Sequence, residues 1–156
     1  NAEENNKYIK TGKVLHHLLS NINTINDVET VLARFVSEGI LYGDGIEPDK
    51  LHKLLLSRLT NSRAAEWFLP KWKVNNECSI LSINHETGKL MERRPDRVIT
   101  DNETTIVIDF KFARPRQQYY EQVKEYMQLL KNMGCKTVKG YLWFVYTDII
   151  EEVVLS

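Results

Sequence analysis

Two aspartates and a lysine near the middle of the chain have the types and spacing of a metal-dependent hydrolytic site. Asp96 follows an Arg-Pro dipeptide, and Asp109 and Lys111 flank Phe110 in a second short run. Carboxylates are the ligands that hard divalent cations such as Mg²⁺ prefer in proteins. A lysine beside them adds a fixed positive charge. The three residues therefore predict a site that binds a divalent cation.

The spacing of the two aspartates predicts that they face each other across a β-hairpin. If residues 102–103 form a two-residue loop, residue 101 pairs with residue 104, and Asp96 lies opposite Asp109. Directly opposed side chains have Cβ atoms about 4.5–5.5 Å apart, which lets two carboxylates bind one cation. Asn-Glu is not a strong hairpin turn, however, and a one-residue bulge would shift this register.

Strand alternation places Asp109 and Lys111 on one face, and Ile108, Phe110 and Phe112 on the other. Two carboxylates inside a mostly apolar sheet repel each other and resist desolvation, so they need a cation or a proton. The alternative interpretation is a pair of edge-strand aspartates beside a solvated lysine, with no chemical role.

The hydrophobic pattern predicts an α/β fold, in which a mainly helical part, residues 1–70, precedes a β-sheet core, residues 71–156. We expect a central mixed sheet flanked by helices. Helices are predicted at 12–22, 28–36, 48–59, 64–68 and 116–133, and strands at 73–83, 89–100, 105–111, 138–146 and 150–155, with a turn at 85–88.

Length and composition favour one domain spanning residues 1–156, since 156 residues at 42% hydrophobic content form one core more readily than two. Lys plus Arg and Asp plus Glu both number 21, so net charge neither requires nor excludes a polyanionic partner. Cys78 and Cys135 lack metal-binding spacing, which argues against zinc, an iron–sulfur cluster or a disulfide framework and favours a cytoplasmic setting. No apolar run approaches the ~18 residues of a membrane span. A start at Asn1 predicts a piece of a longer protein.

Four motifs together resemble the PD-(D/E)XK nuclease superfamily, and more closely the C-terminal nuclease domain of RecB and AddA helicase-nucleases. They span residues 12 to 126 and follow the family's order. They are Gly12 to His16, which is similar to the GxxxH helix; Arg94-Pro95-Asp96, the first-aspartate motif; Ile108-Asp109-Phe110-Lys111, the V-D-[YF]-K strand; and Tyr119 to Tyr126, the YxxQxxxY helix.

The resemblance implies a restriction-endonuclease-like core and a metal site. By resemblance, His16, Asp96 and Asp109 ligate the metal, and the main-chain carbonyl of Phe110 is a further ligand. Lys111 would stabilise charge on the scissile phosphate or position the attacking water.

Three further residues take roles from the resemblance. Gln122 and Tyr126 match the QxxxY pair, which supports the active site and touches the nucleic-acid backbone in the family. Glu77 matches an acidic residue near the metal in some members. Because Gln122 and Tyr126 are four residues apart, they share a helix face, distinct from the apolar stripe that includes Val123 and Met127.

The implied activity is that of a Mg²⁺-dependent deoxyribonuclease, with Mn²⁺ as a substitute and exonuclease action favoured over endonuclease action. The implied partners are DNA, a helicase domain in the same full-length chain and a second helicase-nuclease subunit, in bacterial double-strand-break repair and recombination in the cytoplasm. The alternative function is an inactive nuclease fold that binds DNA or another protein. No helicase motif occurs in these residues.

Two choices concern histidines and aromatic residues. A lone histidine beside an apolar stripe is more often packed than ligating, and His17 points about 100° away from His16 around the helix; the GxxxH match selects His16.

Trp67, Trp72 and Trp143 could stack on bases, but we assign them to packing because small cores commonly bury aromatic residues.

Arginines bracket the two aspartates in the sequence. Once a metal neutralises the carboxylates, we expect this neighbourhood to attract phosphates, although an arginine-rich rim is also a common solvated surface. The predicted DNA-binding residues are Arg94, Arg97, Arg114 and Arg116, with Arg93 beside them.

Overall fold

The computed structural model describes residues 2–41, 45–75 and 79–155. The helices are α1 Ala2–Ser20, α2 Val28–Ser37, α3 Pro48–Asn61 and α4 Gln117–Asn132, with 3₁₀ turns at Ile25–Asp27 and Arg63–Phe68. The strands are β1 Lys73–Asn75, β2 Ile80–Ile83, β3 Leu90–Arg93, β4 Arg97–Thr100, β5 Thr104–Lys111, β6 Thr137–Phe144 and β7 Ile149–Val153.

A five-stranded mixed sheet forms the centre of the fold, in the order β1-β4-β5-β6-β7. Strands β5 and β6 are parallel because α4 crosses over between them, and the other neighbours are antiparallel. Strands β2 and β3 form a separate two-stranded sheet. The α/β class with an N-terminal helical part is thus confirmed, and it is consistent with a restriction-endonuclease-like core.

Two predicted strands are each divided in the structure. The segment 73–83 supplies β1 to the large sheet and β2 to the small one, and residues 76–78 between them lie outside the described part. The segment 89–100 divides into β3 and β4 at residues 94–96. Pro95 has no N–H to donate to a ladder, which favours a break there. The turn at 85–88 is confirmed, with Gly88 at φ 70°.

The helices α1, α2 and α3 lie on one face of the sheet. Their cores include Leu15, Leu18, Phe35 and Leu55, each at most 1% exposed. Helix α1 begins ten residues before the predicted helix, because its first turns are polar and show no apolar stripe. No helix in the described ranges is long and apolar enough to cross a membrane.

The tryptophans behave largely as predicted. Trp67 is 6% exposed and Trp143 is fully buried, so their assignment to packing is confirmed. Trp72 is half-buried, and its Nε1 donates to the carbonyl of Glu66 at 2.9 Å.

Strand β5 separates two apolar clusters through its alternation. Ile108 and Phe110 pack into the helical cluster on one face. Val107 packs with Tyr126 and Leu130 of α4 on the other. Asp109 follows Val107 by two residues, so the strand carries its carboxylate to the α4 side.

Helix α4 lies against β6 at Gly140. A Cβ added there would meet Val123 Cγ1 at 2.7 Å, and Met127 more closely still. This contact explains a glycine in the interior of a buried strand, where it would otherwise weaken the sheet.

We expect Gly140→Ala to lower the free energy of unfolding by about 1–3 kcal/mol, because overpacking outweighs the ~0.4–1 kcal/mol gained from a less flexible unfolded chain. Urea denaturation measures the change. Lys139→Ala, an exposed change on the same strand, serves as the control. An unchanged midpoint in Gly140→Ala would show that α4 does not pack this closely.

Candidate active site

The hairpin that carries the two aspartates has the predicted register. Arg97 pairs with Ile108, and Thr100 pairs with Thr105. The Oδ1 atom of Asp101 accepts the N–H groups of residues 103 and 104 at 2.9 and 2.7 Å. These two bonds to the Asp101 side chain close a loop whose Asn-Glu sequence is a poor hairpin turn. No bulge shifts the ladder, so the register prediction is confirmed for β4.

Asp96 lies one residue before β4, and it joins β5 through its side chain. The Phe110 N–H donates to Asp96 Oδ2 at 2.8 Å, and the Asp96 N–H donates to Asp109 Oδ1 at 3.2 Å. These reciprocal bonds replace the next ladder pair. The two aspartates are therefore neighbours, as predicted, although the ladder itself ends at Arg97.

His16 reaches this pair from α1. Its Nε2 lies 2.6 Å from Asp96 Oδ1. The close approach of α1 depends on Gly12, because a Cβ there would lie 3.0 Å from Phe112 Cβ. The ring of His17 instead packs edge-on against Phe35 at 5.0 Å. The structure thus brings His16, and not His17, to the aspartates.

Lys111 lies on the same face as Asp109, as alternation predicts. Its Nζ is 3.6 Å from Asp109 Oδ2 and 3.4 Å from Gln122 Oε1. The same ammonium group lies 4.4 Å from the centre of the Tyr119 ring. Helix α4 therefore holds the lysine through two residues one turn apart. The resemblance gives a role to Gln122 but none to Tyr119, the first residue of the same motif.

Tyr126 occupies a different place from the one expected. Its side chain is 2% exposed and packs with Val98 and Val107 beneath the site. Gln122 and Tyr126 are expected to share a face distinct from the apolar stripe of α4, but Tyr126 is itself part of an apolar cluster. Burial and the nearby carboxylates of Asp109 and Asp96 raise its pKa, which keeps the phenol neutral.

Asp109 is a carboxylate in an unfavourable environment. It is 3% exposed. Burial and the negative charge of Asp96 raise its pKa from 3.8 to about 6, against the opposing effect of Lys111. The hydrogen bond to Asp96 raises the pKa of His16, so the imidazole is more readily protonated here. The site attracts positive charge.

The residues present fit a hard divalent cation in their chemistry. Asp96 and Asp109 supply oxygen donors, and a bound cation would relieve the burial of Asp109. In the described residues, no three His, Cys, Asp or Glu side chains are arranged to hold a metal ion. Each Asp96 oxygen accepts one hydrogen bond and keeps a further lone pair for a cation, whereas His16 Nε2 must first give up the proton that it shares with Asp96. Glu77 lies outside the described residues.

The predicted DNA-binding arginines divide into exposed and buried residues. Arg94, Arg114 and Arg116 are exposed. Arg97 is 2% exposed, so its assignment to a DNA-binding surface is wrong. Arg93 is paired with Glu125 of α4.

Arg97 has a structural role. Its guanidinium donates to the carbonyls of Ile22, Asn23 and Trp67 at 2.7–2.8 Å. It also lies 4.0 Å from the ring centre of Phe68. Burial lowers its pKa to about 10, so it remains charged at neutral pH. This arginine binds the N-terminal helices to the strand that follows Asp96.

No protein-family model matches the sequence, and comparison with curated proteins gives no significant match. The roles of the residues described above therefore depend on their geometry and on the resemblance of the four motifs.

We expect Gly12→Ala to separate His16 from Asp96. The added methyl group meets Phe112, and this overpacking, ~1–3 kcal/mol, exceeds the ~1 kcal/mol that alanine gains in helix propensity. Loss of the bond should return the pKa of His16 towards 6.5. Histidine NMR titration in EDTA measures it, with Thr11→Ala as the control. If the His16 pKa in Gly12→Ala equals that of wild type, the absence of a side chain at residue 12 is not what brings His16 to Asp96.

Asp109 should make the metal-free protein less stable as pH rises. Its folded pKa of about 6 exceeds 3.8, so between these values the native state binds more protons than the unfolded state. Stability therefore falls as pH rises through about 4 to 6. His16 adds a fall at higher pH, because its folded pKa is also raised.

Urea denaturation in EDTA across this pH range measures the effect. Asp109→Asn should lack the fall between about pH 4 and 6, whereas Glu103→Gln, an exposed change in the same hairpin, should keep it. Parallel stability curves for wild type and Asp109→Asn would exclude a raised Asp109 pKa.

Proposed function

We propose that the chain is a metal-dependent DNA nuclease domain that hydrolyses phosphodiester bonds. One observation carries the proposal: the buried carboxylate of Asp109 is held against Asp96, with the ammonium of Lys111 at 3.6 Å. Fold stability alone gives no reason to bury such a pair, because removing the charge would relieve both desolvation and repulsion. The pair has a reason to be buried if it binds a cation that acts on a phosphate substrate.

Asp96 and Asp109 would hold Mg²⁺ or Mn²⁺, with His16 and the main-chain carbonyl of Phe110 as further donors. A bound Mg²⁺ supplies charge neutralisation at phosphorus and lowers the pKa of an attacking water. The raised pKa of Asp109 fits this use, since the site favours added positive charge.

Lys111 would donate to a non-bridging oxygen of the scissile phosphate. Its contacts with Gln122 and Tyr119 hold the ammonium group beside Asp109 before substrate arrives, so little reorganisation is required in the transition state. In the reaction the water oxygen bonds to phosphorus and gives up one proton to solvent, the bond to the leaving oxygen breaks, and that oxygen takes up one proton from solvent. No covalent enzyme intermediate is needed.

The substrate phosphates would be guided by Arg94, Arg114 and Arg116, which are exposed. Five further parts of the proposal are supported by the resemblance of the motifs alone. They are the choice of DNA, exonuclease action, a helicase in the same chain, a second helicase-nuclease subunit and a part in bacterial double-strand-break repair.

A second function is favoured by one specific observation. Both oxygens of Asp96 accept hydrogen bonds, from His16 and from the Phe110 N–H. While His16 Nε2 holds the proton of its bond to Asp96 it cannot ligate a metal, and a site without that ligand would bind nucleic acid without cutting it. This is the alternative of an inactive nuclease fold.

Cleavage by Asp109→Asn tests the proposal. We expect wild type to cut single- or double-stranded DNA with Mg²⁺ or Mn²⁺ and to stop in EDTA. Asp109→Asn should lose at least ~10²-fold in rate, the order of a lost charge-stabilising contact in a transition state. Gel analysis of labelled DNA measures both.

Glu103→Gln provides the matched control, because it also replaces one carboxylate with an amide in the same hairpin. It should cleave like wild type. Equal cleavage by wild type and Asp109→Asn would exclude the proposed site. DNA binding without cleavage in either metal would favour the inactive binding module.

A further inference from the structure

A cavity of about 560 Å³ opens directly beside Lys111. One wall is the end of β5 and the residues after it, including Phe112 and Arg114. The other walls come from the first turns of α1 and from the β6–β7 hairpin. Lys111 belongs to both this cavity and the candidate active site, so a strand whose phosphate reaches Lys111 has a neighbouring nucleotide at the cavity. We call this cavity the aromatic pocket.

Aromatic rings form the floor and side of the aromatic pocket. The rings of Tyr8 and Tyr146 have centres 4.4 Å apart, and Phe112 packs edge-on against Tyr146 at 5.4 Å. Tyr8 remains 51% exposed and Ile149 50% exposed. Folding therefore leaves a partly open apolar surface next to a cationic site. Such surfaces bind the faces of bases in proteins that hold single strands.

A hydrogen bond joins the Tyr146 ring to the backbone of α1. The Tyr146 hydroxyl donates to the main-chain carbonyl of Tyr8 at 3.1 Å. Burial and the nearby Tyr8 raise the pKa of Tyr146 to about 12, so the hydroxyl keeps its proton at neutral pH. The Tyr146 side of the aromatic pocket is thus held in place before a ligand binds, which lowers the entropy cost of binding.

The charges around the aromatic pocket suit a base inside and phosphates outside. Arg114 and Lys111 lie on the pocket wall next to the active site, where backbone phosphates would pass. Glu151 also lines the pocket. A carboxylate repels a phosphate, but it accepts a hydrogen bond from the exocyclic amino group of a base such as cytosine. The occupant is therefore a base.

We propose that the aromatic pocket binds one unpaired nucleobase of the strand whose phosphate contacts Lys111, an inference that rests on the nuclease function proposed above. A base in an intact duplex is stacked and paired, and it could enter only after extrusion, which costs a few kcal/mol. The substrate class is then single-stranded DNA or a frayed strand end.

A double-mutant cycle between the protein and the DNA tests the pocket. The probe is a fluorescein-labelled oligodeoxycytidylate of about eight nucleotides, within the site size of small single-strand binders. One abasic nucleotide is moved through it, and affinity is measured by fluorescence anisotropy in EDTA. Wild type should bind about tenfold more weakly when the abasic position removes the stacked base.

Tyr8→Ala should bind the intact probe about tenfold more weakly and show no further loss at that abasic position. Tyr8→Phe should behave like wild type, since it keeps the ring. The bond from Tyr146 to Tyr8 survives both changes because its acceptor is main chain. Met133→Ala, an exposed apolar change at 70% exposure, is the control.

Equal tolerance of every abasic position in wild type, or the same abasic loss in Tyr8→Ala, would overturn the pocket. Coupling to Trp72→Ala instead would also overturn it, because Trp72 lines a different cavity with Trp67 and Tyr141. Cleavage without this coupling overturns the aromatic pocket alone. Coupling in a protein that does not cleave supports the pocket and contradicts the nuclease.

Discussion

The geometry of the site depends on the two reciprocal bonds between Asp96 and β5. They fix a carboxylate that lies outside any strand, because the Phe110 N–H donates to the Asp96 side chain and the Asp96 N–H donates to the Asp109 side chain. Since Pro95 interrupts the strand, β4 cannot provide this position by pairing. The Asp96 side chain takes over that bonding, and the cost is a negative charge placed against the buried Asp109.

That cost organises the neighbouring residues. Lys111 and the imidazole of His16 approach the two carboxylates from β5 and from α1. Helix α4 then holds Lys111 through Gln122 and Tyr119, while Tyr126 of the same helix is buried against Val98 and Val107. Four segments far apart in sequence meet because the acidic pair needs positive charge on one side and apolar packing on the other.

Local rules predicted the parts of this arrangement that depend on near neighbours. Alternation in β5 places Asp109 and Lys111 together, and pairing arithmetic gives the register of Arg97 with Ile108. The same rules could not predict contacts between residues far apart in the sequence. From the sequence, Arg97 resembles the exposed arginines beside it. Its burial depends on the carbonyls of Ile22, Asn23 and Trp67, which only the fold brings to it.

The burial of Tyr126 and the aromatic pocket were missed for a related reason. Helical spacing shows which residues share a face of α4, but only the packing of α4 on the sheet shows which of them are buried. Tyr8 and Tyr146 are separated by most of the chain, and the polar first turns of α1 give no periodic signal. Their approach becomes visible only once α1 lies along the end of β5.

Arg97 also determines how the chain could be shortened. Its three acceptors belong to the segment after α1 and to the 3₁₀ turn before β1. Removing the first seventy residues would strip Arg97 of its three acceptors and would expose to water the apolar face of the sheet on which the helices pack, directly after Asp96. The helical part consequently supports the candidate site, and a minimal fragment that begins at the first strand would lose the site's geometry with it.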